Sequence, residues 1–159
     1  MQRELFDILS LYGLSVEYPR SWKIIIESRQ VTFQEGKVNA LGNDILMGLL
    51  WEKVERAITL EEYEERVLTN LKKKDKKFKL TRKEVTEISG HRAFKETMET
   101  RGRSGFVGLK KGAVEHSHCM FFCDFHRRFV TVYVSLVPSL RAEHQPVIDE
   151  IFDSIRCIH

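Results

Sequence analysis

The sequence predicts an α+β domain whose central sheet is mostly antiparallel and flanked by helices. Alternating apolar and polar runs follow one another with short turns between them, which is typical of antiparallel strand pairs. Stretches with the 3.6-residue spacing of an amphipathic helix are few and do not alternate with the strands as a parallel sheet requires. Because the chain has 159 residues, a length that suits one hydrophobic core, we expect residues 1–159 to form a single domain.

The composition is that of a globular protein. Hydrophobic residues make up 42% of the chain and charged residues 31%, which excludes a disordered tail, a collagen-like fibre and a disulfide-dense secreted scaffold. No apolar run approaches the ~18 residues of a membrane span, and the N-terminus lacks the pattern of a secretory signal. Since the cysteines, Cys119, Cys123 and Cys157, are odd in number, we expect reduced thiols and a cytoplasmic protein.

Amide side chains are scarce, with seven Asn and Gln residues against many Lys and Glu. This bias is typical of proteins from hyperthermophiles. We therefore expect a thermophile as the source, prokaryotic and archaeal.

The first third of the chain predicts one helix and four strands. Leu5, Ile8, Leu9 and Tyr12 recur at helical spacing and predict a short opening helix. The strands are expected at residues 14–18, 22–27, 31–33 and 45–54. Glu35 and Gly36 interrupt the pattern, as do residues 41–44, and we expect turns there.

A helix is expected to begin after Thr59. Thr59 and Glu62 have the spacing of a capping box, in which each side chain bonds an amide of the first turn. Glutamates in the first turn and lysines in the last turn complement the helix dipole. The apolar stripe of this helix consists of Leu60, Tyr63, Val67 and Leu71.

The second half predicts two strand pairs and a closing helix. Residues 79–88 and 91–101 form the first pair around a turn at Ser89 and Gly90. A cationic, glycine-rich loop follows over 101–112, and residues 114–125 and 129–137 form the second pair. Pro146 is expected to open the closing helix, because proline is well tolerated at a first helical position. The sum is seven or eight strands and three helices.

Several short segments resemble PsbP-like domains and occur in the same order. The segment from Tyr18 to Trp22 resembles the Tyr-Pro-x-x-Trp opening that follows the first strand of those domains. Residues 59–63 look like the start of the middle helix, residues 88–93 like a Gly-x-x-Ala turn, and residues 152–155 like the end of the last helix. The similarity spans nearly the whole chain, although each segment is short.

The resemblance implies a layered α/β/α arrangement and a function without catalysis. PsbP-like proteins of known role act through other proteins: one type supports photosystem II and another binds a Ran-type GTPase. By this resemblance we expect a non-catalytic binding or protein-interaction module, a protein partner, no cofactor and a monomer or homodimer. Trp22 is expected to be a packing residue rather than part of a site.

One stretch of the chain, residues 72–83, is strongly basic and could instead bind nucleic acid through phosphate contacts. Asp75 is its only anion and Phe78 its only aromatic residue, so base stacking is poorly provided for. A solvated helix end and a lysine-guarded edge strand would explain the same pattern. Its cations are Lys72, Lys73, Lys74, Lys76, Lys77, Lys79, Arg82 and Lys83.

A second alternative is a metal-dependent activity at His116 and His118. Two residues apart on a strand, these side chains share one face about 7 Å apart, a workable ligand pair. A third ligand must come from a neighbouring strand, and the pairing that we expect puts residues 136–138 opposite, where no carboxylate lies. Cys119 and Cys123 should point to the other face as buried, inert thiols. No motif indicates catalytic residues, so we expect no enzyme.

Overall fold

The computed structural model describes residues 5–26, 31–102 and 112–158, without the side chains of residues 101, 102 and 112. The loop expected over 101–112 lies largely outside these residues, and its described ends belong to strands. The described chain contains two α-helices, α1 (Leu60–Lys74) and α2 (Arg141–Asp153), and a short 3-10 helix at Pro138–Leu140. The strands are β1 (Phe6–Leu11), β2 (Leu14–Pro19), β3 (Lys23–Ile25), β4 (Glu35–Leu41), β5 (Ile45–Glu52), β6 (Lys79–Ile88), β7 (His91–Gly102), β8 (Gly112–Cys123), β9 (Arg128–Leu136) and β10 (Arg156–Cys157).

The strands form two antiparallel sheets. Seven strands form the large sheet in the order β3-β4-β5-β9-β8-β7-β6, and three form the small sheet in the order β1-β2-β10. Every described strand pair is antiparallel. The predicted α+β class with an antiparallel central sheet is confirmed.

The large sheet is covered on both faces. Helix α1 packs on one face, where the ring of Tyr63 stacks on that of Phe129 with centroids 4.1 Å apart. On the other face, α2 and the small sheet share one core with apolar residues of the large sheet. No described helix combines the length and the apolar character needed to cross a membrane.

The opening helix predicted from Leu5, Ile8, Leu9 and Tyr12 is wrong, because this segment forms strand β1. Tyr12 and Gly13 have φ angles of 51° and 81° and connect β1 to β2 as a two-residue hairpin turn. Positive φ at both central residues is the geometry that lets such a turn follow the twist of its strands. A tyrosine rarely occupies it, so the turn left little signal in the sequence.

The strand predicted at residues 31–33 is also wrong, and the next strand, β4, begins at Glu35 where we expected a turn. Gly36 lies inside β4. The residue at this position has to be glycine, because a Cβ would lie 2.3 Å from the ring of Trp51. The indole Nε1 of Trp51 donates to the carbonyl oxygen of Thr32 at 2.8 Å. Glycine therefore marks a close approach at this position rather than a turn.

The closing helix begins at Arg141, five residues before Pro146. An internal proline removes one backbone hydrogen bond, but side chains one turn apart support this segment. Arg141 Nε donates to Gln145 Oε1 at 2.6 Å, and Gln145 Nε2 donates to Asp149 Oδ1 at 2.8 Å. These contacts explain why the helix extends on the N-terminal side of the proline.

The prediction that all the cysteines are reduced thiols is wrong for two of them. Cys123 at the end of β8 and Cys157 in β10 form a disulfide bond, 34 residues apart in sequence. Cys119 keeps a free, buried thiol, and burial raises its pKa to about 12. The expectation of reduced thiols therefore holds for Cys119 and is wrong for the other two.

Candidate functional site

The basic stretch lies at one edge of the large sheet. Helix α1 ends at Lys74, Asp75 caps it, and the chain turns into β6, the last strand of the sheet. All its cations are exposed, and they run continuously from the last turn of α1 into the first half of β6. We call Lys72, Lys73, Lys74, Lys76, Lys77, Lys79 and Arg82 the basic surface.

Local sequence explains why these cations are held at the edge. The capping box of Thr59 and Glu62 is formed, with both bonds at 3.1 Å, and fixes the start of α1 as the sequence predicted. At the other end, the carboxylate of Asp75 accepts from the amide of Lys77 at 2.9 Å. The pairing of β6 with β7 then shifts between Leu80 and Arg82, and such a bulge is typical of edge strands.

Lys83 differs from the other cations of the basic stretch. Its ammonium turns toward α1, where it lies 2.6 Å from Glu64 Oε2 and 4.2 Å from the ring centre of Phe94. The side chain is still 38% exposed. Lys83 therefore connects the basic surface to a group of polar side chains inside the protein.

This group, which we call the buried polar cluster, consists of Glu64, Glu96, His116, His118 and Ser135. His118 Nε2 and Glu96 Oε1 are 2.7 Å apart, with side-chain exposures of 1% and 0%. His116 Nδ1 lies 2.7 Å from the hydroxyl of Ser135. The two imidazoles lie edge to face, 5.5 Å apart, on the shared face that the sequence predicted.

The carboxyl groups of the cluster have shifted pKa values. Burial, together with a hydrogen bond to Glu96, raises the pKa of Glu64 to about 7. Burial also raises the pKa of Glu96, but hydrogen bonds with His118 and Glu64 outweigh it, so this pKa lies below its usual value. Desolvation lowers the pKa of His116 well below its usual value. The pKa values of these two carboxyl groups are thus shifted in opposite directions by their contact with each other.

The strands beside the histidines are not those that we expected. His116 and His118 face Ser135 and Tyr133 of β9 rather than residues 136–138, because the turn of four residues after Cys123 sets the register. On the other side, β7 places Glu96 opposite His118. A carboxylate neighbour is therefore present, although the two histidines do not form a set of three close metal ligands within the described residues.

Sequence reasoning missed a second cluster, formed by Cys123, His126 and Cys157. Its sulfur and nitrogen atoms all lie within 4.8 Å of one another. The turn after β8 positions His126, and β10 brings Cys157 beside it by pairing with β2. The spacing of Cys123 and His126 was a visible signal. The contribution of Cys157 was not, because it depends on where the C-terminal segment docks.

Comparison with known proteins shows similarity at the level of structure. No protein-family model matches the chain, and no curated protein matches its sequence. Cyanobacterial PsbP (CyanoP) from Synechocystis has a TM-score of 0.71 and 10% identity, covering 99% of this chain and 95% of its own. The Ran-binding protein Mog1p from Saccharomyces cerevisiae has a TM-score of 0.61 and 11% identity, covering 98% and 96%. A Pseudomonas aeruginosa protein of unknown function scores 0.59 with 14% identity, covering 92% and 93%.

The identities are too low to carry a function from these proteins to this chain. The coverage is nearly complete on both sides, so the similarity concerns the whole fold rather than one motif. The predicted fold is confirmed in this respect, and Trp22, the last residue of the segment that suggested it, is 9% exposed and part of the core. The chain has the fold of PsbP and Mog1p.

Proposed function

We propose that this protein is a non-catalytic interaction module that binds an acidic segment of a partner protein along its basic surface. The observation that carries the proposal is the position of that surface on an open sheet edge. Strand β6 has ten residues, nine of them exposed. Among the described strands it pairs with β7 alone, so its outer edge offers backbone groups to an added strand.

The distribution of charge supports an acidic partner. Residues 72–83 contain eight cations and one anion, whereas the rest of the chain has 18 cations and 22 anions. The net charge of +3 therefore arises from this one stretch. A concentrated positive field on an otherwise weakly acidic protein steers an acidic segment toward one edge and away from the others.

The two ends of the sheet differ in a way that favours β6. The opposite edge strand, β3, has only three residues, too few for a stable added strand. Strand β6 also carries two exposed apolar side chains: Leu80, between two cations of the basic surface, is 37% exposed, and Val85 is 60% exposed. Contacts with such side chains would add to the charge attraction, since exposed rim charges alone contribute little affinity.

Nucleic-acid binding is the alternative use of the same surface. The positive charge would serve both ligands, but stacking of bases requires exposed aromatic rings. Phe78 is the one aromatic residue of the stretch and is half-buried. The extended edge of β6 is also better matched to a peptide strand than to a sugar-phosphate chain. We therefore favour the protein partner.

Binding titrations with two defined anions test this proposal. An oligoglutamate peptide and a single-stranded DNA of equal charge are titrated into the full chain at several salt concentrations. We expect the peptide to bind more tightly than the DNA at physiological salt. The variant Lys73→Glu/Lys76→Glu/Lys77→Glu should bind the peptide about tenfold more weakly, since three exposed pairs are replaced by repulsions.

A matched control separates local from global charge. Lys23→Glu/Lys53→Glu/Arg56→Glu changes three other exposed cations, so both variants have a net charge of −3. Residues 53 and 56 precede α1, whose 15 residues separate them from its basic end by about 22 Å. Equal loss in both variants would contradict a local site. Tighter binding of DNA, with a steep salt dependence, would replace the proposal with the nucleic-acid one.

A metal-dependent activity at His116 and His118 is the weaker candidate function. Both rings are buried and already occupied by hydrogen bonds with Ser135 and Glu96. A metal ion would have to displace these hydrogen bonds and enter a site that is almost closed to solvent. One transition-metal ion bound per chain, and lost in His116→Ala/His118→Ala, would favour it.

A cytoplasmic location and a monomeric or homodimeric state complete the proposal. The location is tested by fractionating the source cells, and the oligomeric state by analytical ultracentrifugation of the full chain. Membrane-bound or exported protein would contradict the first expectation, and a trimer or larger assembly the second.

A further inference from the structure

The cluster of Cys123, His126 and Cys157 lies where three parts of the chain meet. The turn after β8 supplies the histidine, the end of β8 supplies one cysteine, and the C-terminal strand supplies the other. Its potential ligand atoms lie within 4.8 Å of one another. Among the described residues, this is the cluster of three side chains that is close enough to bind one metal ion. It is separate from both the basic surface and the buried polar cluster.

The donor set and its spacing fit a zinc ion. Zinc binds thiolate sulfur at about 2.3 Å and imidazole nitrogen at about 2.0 Å in a tetrahedral arrangement, which spaces the ligand atoms roughly 3.5–3.8 Å apart. Atoms within 4.8 Å reach that spacing by small side-chain rotations. Two thiolates with one imidazole select zinc over magnesium or calcium, which prefer oxygen ligands.

The surroundings of His126 hold its ring at this position. Its Nε2 lies 3.1 Å from the carbonyl oxygen of Ile158, the residue after Cys157. The ring packs edge to face on Phe33 with centroids 5.0 Å apart. Gly13 leaves space for it, because a Cβ at that residue would lie 2.6 Å from Nε2. A histidine whose ring is fixed by a backbone carbonyl is typical of metal sites.

A buried cation, Arg128, lies on the same face of the sheet as Cys123. Arg128 is directly opposite Cys123 in the β8–β9 pair, so their side chains lie on the same face. Its guanidinium is fully buried and donates to the carbonyl oxygens of Phe33 and Tyr12, the first at 2.8 Å. The Nε of Arg128 has no hydrogen-bond acceptor within the described part of the chain. Positive charge beside a thiol stabilises its deprotonated form, which is the form that binds metal.

We infer that the reduced protein binds one zinc ion through Cys123, His126 and Cys157, and that the disulfide is the oxidised, metal-free form of the same site. A water molecule completes the four-coordinate shell. The metal and the disulfide exclude each other because both use the same two sulfur atoms. In either form, the link joins the C-terminal strand to β8.

Conversion between the two forms requires an oxidant, and a small-molecule disulfide such as oxidised glutathione supplies it. One cysteine thiolate attacks this disulfide, breaks its S–S bond, forms a mixed disulfide and releases one small thiolate; the second cysteine thiolate then attacks the mixed disulfide and releases the other small thiolate. The two protein sulfurs together lose two electrons, and zinc leaves as Zn²⁺. The two small thiolates, which have gained these electrons, take up two protons from the solvent and become thiols.

Metal titration of the reduced and oxidised full chain tests the inference. The protein is reduced with dithiothreitol, freed of it without oxygen, and titrated with Zn²⁺ against a chromogenic chelator. A parallel titration with Co²⁺ reports thiolate ligands through charge-transfer absorption. We expect one zinc per reduced chain and none after treatment with oxidised glutathione.

Three variants assign the ligands. Cys157→Ser should abolish the charge-transfer absorption of a two-thiolate site and weaken zinc binding at least ~100-fold. His126→Ala keeps both cysteines and should weaken it at least ~10-fold, since even partners of ligands contribute that much. Cys119→Ala is the matched control and should bind as the wild type does, because four residues of strand separate it from Cys123 by about 13 Å.

The result can overturn the inference in several ways. Reduced wild-type protein that yields all its zinc to the chelator would contradict the site. Unchanged affinity in His126→Ala would contradict the third ligand. If Cys157→Ser fails to fold, judged by circular dichroism, His126→Ala and the oxidised wild type still decide the question. Since the site shares no residue with the basic surface, its failure would leave the proposed function untouched.

Discussion

The basic surface and the buried polar cluster both contain ionisable side chains, but the two regions differ in how far these side chains are exposed to water. On the surface, seven cations are exposed to water, where each contributes little to stability but adds to a field that reaches a partner. In the cluster, His118 and Glu96 are 1% and 0% exposed, and each depends on the other for its hydrogen bond. Changes in the cluster should alter stability, whereas changes on the surface should alter binding.

The largest expected effect comes from separating the buried pair. His118→Leu leaves the carboxylate of Glu96 buried without its partner at 2.7 Å, which should lower the free energy of unfolding by about 3 kcal/mol. Urea denaturation of the full chain measures it, with His144→Leu as the control, since His144 of α2 is only half-buried. Adding Glu96→Leu should recover part of the loss. A cost below about 1 kcal/mol for the single variant would contradict the role of the pair.

The second effect is a pH dependence that Glu64 controls. Its pKa is raised from 4.5 to about 7. The contribution of Glu64 to the free energy of unfolding is therefore fully present below pH 4.5 and is lost as the pH rises through 7. The contribution of Glu96, whose pKa is lowered, is instead present above pH 4.5 and lost as the pH falls.

Glu64→Gln keeps a hydrogen-bond donor at every pH and should remove the decline between pH 4.5 and 7. Above pH 7 the variant should be more stable than the wild type by about 2 kcal/mol. The ion pair lost with Lys83 opposes this by less than about 1 kcal/mol, since that side chain is 38% exposed. Urea denaturation across this pH range measures both proteins. Parallel pH profiles would contradict the assignment.

A smaller effect is expected at the start of α1. Thr59→Ala removes the hydroxyl that accepts from the amide of Glu62 at 3.1 Å, and loss of such a cap costs about 1 kcal/mol. Thermal unfolding followed by circular dichroism measures it, with Thr69→Ala in the exposed part of the helix as the control. Equal melting temperatures for the Thr59→Ala variant and the wild type would mean that the capping box does not stabilise α1.

The smallest effect on stability should come from the basic surface. Lys73→Glu/Lys76→Glu/Lys77→Glu should lower the free energy of unfolding by less than about 1 kcal/mol, mostly because Lys73 lies in the last turn of α1, while weakening oligoglutamate binding about tenfold. Unfolding and binding are measured on the same preparation. A large loss of stability would show that these exposed cations stabilise the fold, which would contradict the difference that we draw between the basic surface and the buried polar cluster.

Much of the fold could be predicted because local signals agreed with it. The capping box at Thr59 and Glu62 fixed the start of α1, and the turn at Ser89 and Gly90 fixed the β6–β7 pair. Strand β1 was missed because a six-residue segment satisfies both helical and strand spacing, and its turn uses a tyrosine at positive φ.

The sites depended on contacts that sequence spacing does not contain. The histidine pair was placed on one face correctly, but its carboxylate neighbour, Glu96, follows from a strand register that only the folded sheet sets. The link from Cys123 to Cys157 spans 34 residues and depends on β10 pairing with β2. A thermophilic, archaeal source and the role of the basic cations stay predictions.

Hydrogen–deuterium exchange with and without oligoglutamate tests the central claim most directly. If an acidic segment adds to the open edge of β6, backbone amides of residues 76–88 should exchange more slowly when the peptide is present. Amides around residues 53–56 should not change, and the Lys73→Glu/Lys76→Glu/Lys77→Glu variant should need about tenfold more peptide for the same protection of β6. Protection that is absent from β6, or that appears elsewhere on the protein, would contradict the account.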